Sequence, residues 1–258
     1  MIRFDVSNSV NKAIFMKAVQ QSNASDPLEQ NPERKSGEQH LILSALQEIE
    51  QSNEKTAIGL VNALFLSSTS HALDKVCLNI FSRLGDSQSL KLLYKKYPTP
   101  ESISISLLPY YIRALGFLGH EAEIEQLAVL GKTFWGLYRS DMIGAFESIA
   151  ERTGAVDVSD DVVRCLQHLF DASDATDKKR IIELGSKFQH GLYLSIIISG
   201  VQSEIAYVRK AAIPMLGNAK GHMPSHVLAA ALKHETDEDI LEEYDAWMYH
   251  SQESNESP

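Results

Sequence analysis

Cysteine is nearly missing from this chain. Cys77 and Cys165 are the only two. They are too few for a disulfide framework, lack the spacing of a metal-ligand set, and sit within helical apolar patterns where they read as small core residues. That usage fits a reducing compartment, and the cytoplasm is the expected location. Long apolar runs are missing too. None approaches the roughly 20 residues that span a bilayer, and Met1-Ile2-Arg3-Phe4-Asp5-Val6 lacks the continuous apolar stretch of a secretory signal. No membrane association is expected.

Strand-like alternation is absent over any useful length, which points to an all-α fold. No Walker loop, Gly-x-Ser-x-Gly elbow or His-Glu-x-x-His occurs, and the nine histidines do not pair with Cys or Asp at ligand spacing. No catalytic residue, metal or cofactor is therefore expected. Asp157, Asp160 and Asp161 cluster before a helical segment, where capping and the helix dipole account for them better than a metal does. Positive charge is missing from the end of the chain. Of the net charge of −10, nine units fall between His234 and Pro258, which has no Lys or Arg, leaving −1 for Met1 to Lys233. A near-neutral body with an acidic end argues against nucleic acid, whose phosphates need clustered Lys and Arg.

What the chain does contain is a period. Large-small pairs recur at Phe81-Ser82, Leu115-Gly116, Ile149-Ala150, Leu184-Gly185 and Leu216-Gly217, with first members 34, 34, 35 and 32 residues apart. Three residues before these anchors stand Leu78, Ile112, Phe146, Ile181 and Ile213, all apolar. Ala45-Leu46 extends the series backwards and Ala246-Trp247 forwards. A period of this size is expected of stacked helical hairpins, each with a first helix A and a second helix B that carries the anchor.

The expected helices run over 40–52, 55–67, 72–84, 89–97, 103–118, 121–134, 138–152, 159–172, 176–188, 192–202, 204–217, 224–233 and 237–249. The expected organisation is an N-terminal arm and helix over 1–19, a polar linker with Pro27, Pro32 and Gly37 over 20–39, an α-solenoid of about six to seven hairpins over 40–250, and a disordered acidic tail over 251–258.

The segment Tyr207-Val208-Arg209-Lys210-Ala211-Ala212-Ile213-Pro214-Met215-Leu216-Gly217 resembles the B helix of HEAT repeats, most closely the short phycobilisome-lyase kind, which reads Val-Arg-x-x-Ala-x-x-x-Leu-Gly. Arg113 to His120 is similar to the C-terminal half, with His120 where Asp is usual, and Leu84-Gly85-Asp86 keeps the closing triplet. The units at 138–154 and 176–188 share only the periodicity. The resemblance covers about residues 40 to 250. It implies B helices lining a concave face, and it describes packing rather than chemistry.

If the anchor p and p−3 face the core, then p−2, p−6 and p−9 face away at 100° per residue. Position p−6 holds Lys75, Pro109, Ile143, Lys178 and Lys210. Position p−2 holds Asn79, Arg113, Glu147, Ile182 and Pro214, and p−9 includes Tyr207. Candidate partner-binding residues on this face are Lys75, Asn79, Tyr110, Arg113, Glu147, Lys178, Tyr207 and Lys210. The face reads either as a solvated charged surface or as a groove for an acidic protein segment. Tyr110 and Tyr207 turn outward, whereas Tyr111 and Trp135 read as hairpin packing.

The acidic end, with Asp237, Glu238, Asp239, Glu242, Glu243 and Asp245, reads as a capping helix or as a clamp for a basic partner. The expected function is non-catalytic protein binding, as an adaptor or stoichiometric inhibitor, with an immunity protein or antitoxin holding a basic toxin or effector as the specific case. The resemblance also implies two alternatives: a bilin lyase or bilin-handling chaperone, and a DNA-repair glycosylase. The second expects a strongly basic concave face that the composition does not supply.

Overall fold

The computed structural model describes residues 42–51, 55–134, 137–188, 190–217, 232–233, 235–242 and 244–245. The expected arm at 1–19, linker at 20–39 and tail at 251–258 lie outside the described residues, as do Trp135, Glu243, Ala246-Trp247 and nearly all of the helix expected at 224–233. Among the described residues the chain is all-helical. The helices are α1 (42–51), α2 (Ile58–Ser67), α3 (His71–Leu84), α4 (Ser87–Lys96), α5 (Leu108–Leu118), α6 (Glu121–Thr133), α7 (Arg139–Thr153), α8 (Asp160–Ala172), α9 (Ala175–Leu184), α10 (Tyr193–Val201) and α11 (Ala206–Ala212), with residues 238–242 helical beyond them. A single isolated parallel bridge joins Val156 and Phe188 among the described residues. No described helix is long and apolar enough to cross a membrane.

Helix ends follow local chemistry. Asp86 starts α4 with a capping box, accepting from Ser89 N–H at 2.8 Å while Ser89 Oγ accepts from the Asp86 amide. The Asp that closes the Leu84-Gly85-Asp86 triplet is thus the cap of the next helix. Asp174 caps α9 by accepting from the Asp177 amide at 3.0 Å. Where His120 replaces the Asp, its amide instead donates to Glu123 at 2.7 Å.

Ser159 caps α8, and Asp160 and Asp161 occupy its first turn, where the dipole favours them. Asp160 also meets Arg164 at 3.4 Å and His190 at 3.1 Å, so it serves helix and loop structure. The helix expected from Ile103 starts only at Leu108, because Pro109 suits a first turn and no later one. The helix expected over 204–217 breaks after Ala212, and the 3-10 turn Pro214–Gly217 follows, since Pro214 offers no N–H to the α ladder.

The chain divides into two compact units, with the boundary at Gly119–His120. Periodicity does not mark this boundary. Within the first unit α3 packs beside α5 and α2 beside α4, while α2–α3 and α4–α5 contacts close the hairpins. Within the second, α7 packs on α9 and α9 on α11, α6 on α8 and α8 on α10. Each unit therefore holds a row of odd-numbered and a row of even-numbered helices, with elements one period apart touching.

The anchors hold the core between these rows. Phe81, Leu115, Ile149, Leu184 and Leu216 are buried, as are Leu78, Ile112, Phe146, Ile181 and Ile213. Gly185 allows one close approach: a Cβ there would stand 2.8 Å from the Tyr193 ring of α10. The Tyr193 hydroxyl donates to the Ile181 carbonyl in the same corner.

The outward face is narrower than the helical wheel suggests. Pro109 and Ile143 at p−6 and Ile182 at p−2 are buried, not exposed. The reason is visible at α9, which has neighbours in its own row and in the other. Ile182 lies against Gly200 of α10, where an added Cβ would come within 2.7 Å of its Cδ1. Only p−9 is largely outward, with Ala72, Ser106, Ser140 and Tyr207 exposed.

Candidate functional site

In the first unit, four of the residues singled out from the sequence converge on two adjacent helices. Lys75 and Asn79 come from α3, Tyr110 and Arg113 from α5. Lys75 Nζ lies 4.9 Å from the Tyr110 ring centroid and Arg113 Cζ lies 5.2 Å from it. Lys75 and Arg113 are exposed and Tyr110 is half-buried. Asn79 turns the other way and donates to Glu50 of α1 at 2.5 Å, with Arg83 3.7 Å from the same carboxylate. The cluster is therefore a ring flanked by two cations, with Asn79 engaged at its edge.

In the second unit the singled-out residues do not form one cluster. Glu147 of α7 accepts a two-point pair from Arg180 of α9, at 2.9 and 2.5 Å, and Arg180 also reaches Asp177 at 2.7 Å. Lys178 lies over Phe170, 5.2 Å from its centroid, which makes it a brace between α9 and α8. Tyr207 is 49% exposed, and Lys179 approaches its ring to 5.1 Å. Lys210 pairs with Asp239 at 2.9 Å.

The acidic end is partly spent within the chain. Arg209 binds Glu235 at 2.6 and 2.9 Å and reaches the carbonyls of Ser203 and Glu204, each at 3.0 Å. Hydrogen bonds from Arg209 hold the Glu235 carboxyl below its ordinary range, and its side chain is only 3% exposed. Lys210 lowers Asp239 in the same direction. Glu238, Asp239, Glu242 and Asp245 are exposed and Asp237 is half-buried, while Glu243 lies outside the described residues.

Sequence reasoning passed over the most buried charged group among the described residues of the first unit. Asp74 on α3 is 2% exposed, accepts from Lys96 Nζ at 2.6 Å and from the Tyr97 hydroxyl at 2.7 Å. Lys96 completes its shell on the carbonyls of Phe65 and Ser68, at 2.6 and 2.8 Å. Burial, and then the hydrogen bond to Asp74, push the Tyr97 hydroxyl well above its usual value. Rings of Phe65, Phe81, Tyr97 and Tyr111 stack edge to face around this pair. The signal was an acid at p−7 in an otherwise apolar helix face, with a Lys-Tyr pair about one hairpin later. Glu235 and Arg180 were missed for another reason: their roles depend on residues about 26 and 33 positions away.

The thiols sit deep. Cys77 and Cys165 are buried, and burial raises both, Cys165 to about 12. Such thiols stay protonated and unreactive. Among the described residues no group of three His, Cys, Asp or Glu is placed to hold a metal.

No protein-family model, curated protein or solved structure matches the chain. The likeness to HEAT repeats rests on the quoted residues alone. What the surface offers chemically is recognition by cations and aromatic rings in the first unit, and paired opposite charges in the second.

Proposed function

We propose that this chain is a non-catalytic, protein-binding α-solenoid of HEAT-like hairpins, acting as an adaptor or stoichiometric inhibitor. The supporting observation is the Lys75–Tyr110–Arg113 cluster. It combines the residue types that anchor protein interfaces on two helices held rigid by a buried core. The packing of elements one period apart inside each unit supports the solenoid reading. Side chains with chemical potential elsewhere are committed to structure: Asp74 to Lys96 and Tyr97, Glu147 to Arg180, and both thiols to the interior.

An immunity protein or antitoxin is the specific case, with the exposed acids at Glu238, Glu242 and Asp245 as the second surface, suited to a basic toxin. Tagged full-length chain purified from its own cells and run by size exclusion tests the reading. One protein co-eluting at fixed stoichiometry is expected. Elution of the chain alone, or an absorbance shift on adding a linear tetrapyrrole, overturns it, the latter in favour of bilin handling.

A further inference from the structure

The two even-numbered helices of the first unit turn their uncovered sides the same way. Asn62 of α2 accepts from Ser89 of α4 at 2.8 Å, and the Phe65 carbonyl accepts from Lys96 at 2.6 Å, so the helices run side by side in parallel. Leu64 and Phe65 on α2, and Leu92 and Leu93 on α4, are buried. On the opposite side α2 exposes Gly59, Ala63 and Leu66, and α4 exposes Gln88, Lys91 and Lys95. At 100° per residue each set forms one stripe. The contacts at Ser89 and Lys96 bring Leu66 to about the level of Lys95.

The two stripes differ in chemistry. Ile58–Ser67 holds no charged residue, and Leu66 is 42% exposed. A helix nearly apolar on every side is normally covered on every side. The space over this one is open, since a Cβ at Gly59 would meet nothing within 4 Å. Beside it, α4 keeps two positive charges one turn apart, which repel each other. Among the described residues neither the Lys91 nor the Lys95 side chain is in an ion pair, whereas Lys96 is committed to Asp74. The helix dipole accounts for Lys95 and Lys96 in the last turn, and not for Lys91 in the middle.

We propose that this side of α2 and α4 is the docking surface for an amphipathic helix of a partner protein. Its apolar stripe covers Gly59, Ala63 and Leu66, and its border carries two carboxylates one turn apart for Lys91 and Lys95. The proposal rests on the protein-binding reading above and adds a second place and the chemistry of what binds there. From Gly59 to Leu66 the stripe rises about 10 Å, two turns of an incoming helix. Nucleic acid would meet the lysines and leave Leu66 uncovered. An anionic membrane is held by clusters of about four to eight cations, and this face supplies two.

The test titrates the full chain into a fluorescein-labelled peptide of about 18 residues, long enough to form a helix. The peptide has Leu along one stripe and Glu at i and i+4 on its border. A saturable rise in anisotropy is expected. It weakens about tenfold or more in the double variant Lys91→Glu, Lys95→Glu. Ala63→Glu weakens it by about as much, because it sets an unpaired carboxylate against the apolar stripe. Lys132→Glu, on α6 of the second unit, leaves it unchanged. A peptide with Gln in place of Glu binds about tenfold more weakly.

Unchanged affinity in the double variant or in Ala63→Glu, equal binding of the Gln peptide, or no saturation overturns the proposal. So does retention on phosphatidylserine vesicles, or of a single-stranded DNA oligonucleotide, that the double variant loses. Circular dichroism melting confirms that the variants fold, and Lys91→Gln with Lys95→Gln replaces the reversal if it does not. A cellular partner retained by the double variant sinks this surface but leaves the protein-binding role standing. Peptide binding as expected, with no cellular partner at all, does the reverse.

Discussion

Lys210 on α11 meets Asp239 in the helical segment 238–242 through an ion pair of 2.9 Å. Beside it, on the interior side, Arg209 grips the nearly buried Glu235 at two points. The two pairs differ in kind. Lys210 and Asp239 are open to water, with side chains 43% and 71% exposed, and such pairs hold little net energy. Arg209 and Glu235 are withdrawn from water, so each depends on the other. Part of the acidic segment thereby meets the basic residues of α11.

Arg209→Ala is expected to lower the unfolding free energy by about 3 kcal/mol, because it strands a desolvated carboxylate. Arg209→Lys recovers only part, since an ammonium cannot form the two-point pair. Asp239→Asn leaves the urea midpoint where it was. Urea denaturation of the three variants checks the contrast.

Acid should weaken the same corner. The Glu235 carboxyl is depressed in the folded chain, chiefly by Arg209. Its contribution is therefore full above the ordinary unfolded-state value of about 4.3 and is lost as pH falls through the lower folded value. Asp86 adds in the same direction: burial raises its carboxyl, but hydrogen bonds from Ser89 and Asn62 outweigh that and leave it lowered. The melting temperature of Glu235→Gln should fall less steeply below about pH 4.5 than that of the parent.

The buried pair of the first unit gives a graded series. Tyr97→Phe removes one hydrogen bond to Asp74 and costs about 1–3 kcal/mol. Asp74→Ala leaves the Lys96 ammonium, 14% exposed, without its carboxylate and costs about 3–5 kcal/mol. Chemical denaturation in which the two variants are equally stable would contradict the network as drawn.

Two glycines separate packing from propensity. Gly185→Ala drives a Cβ toward the Tyr193 ring at 2.8 Å and should destabilise by about 1–3 kcal/mol. Gly59→Ala in α2 meets nothing within 4 Å and should stabilise by about 0.5–1 kcal/mol. Thermal melts of the pair distinguish the two effects by sign.

The fold class and the anchor rows were legible in the sequence because both are local. An apolar residue at p and p−3 must find cover on one side of its own helix, and all ten such positions from Leu78 to Leu216 do so. Some helix ends were legible, as at Leu84 before Gly85-Asp86, although the next helix begins at Ser87, two residues before its expected start, because Asp86 caps it. Others were misplaced where proline acted, at Pro109 and Pro214. The outward face was read less well. A wheel treats a helix as a cylinder with one buried side, whereas α9 is covered on several, which buries Ile182.

The charges of Lys75, Lys178 and Lys210 were just as visible, and their common position before the anchor followed from the period. Their partners did not. Whether a lysine ends on the Tyr110 ring, the Phe170 ring or the Asp239 carboxylate depends on which side chain a neighbouring helix brings within about 5 Å. Periodicity determined that the anchor rows are buried, because their common face follows from 3.6 residues per turn. Only the tertiary structure decided which charges neutralise each other, because that depends on how neighbouring helices are rotated and offset.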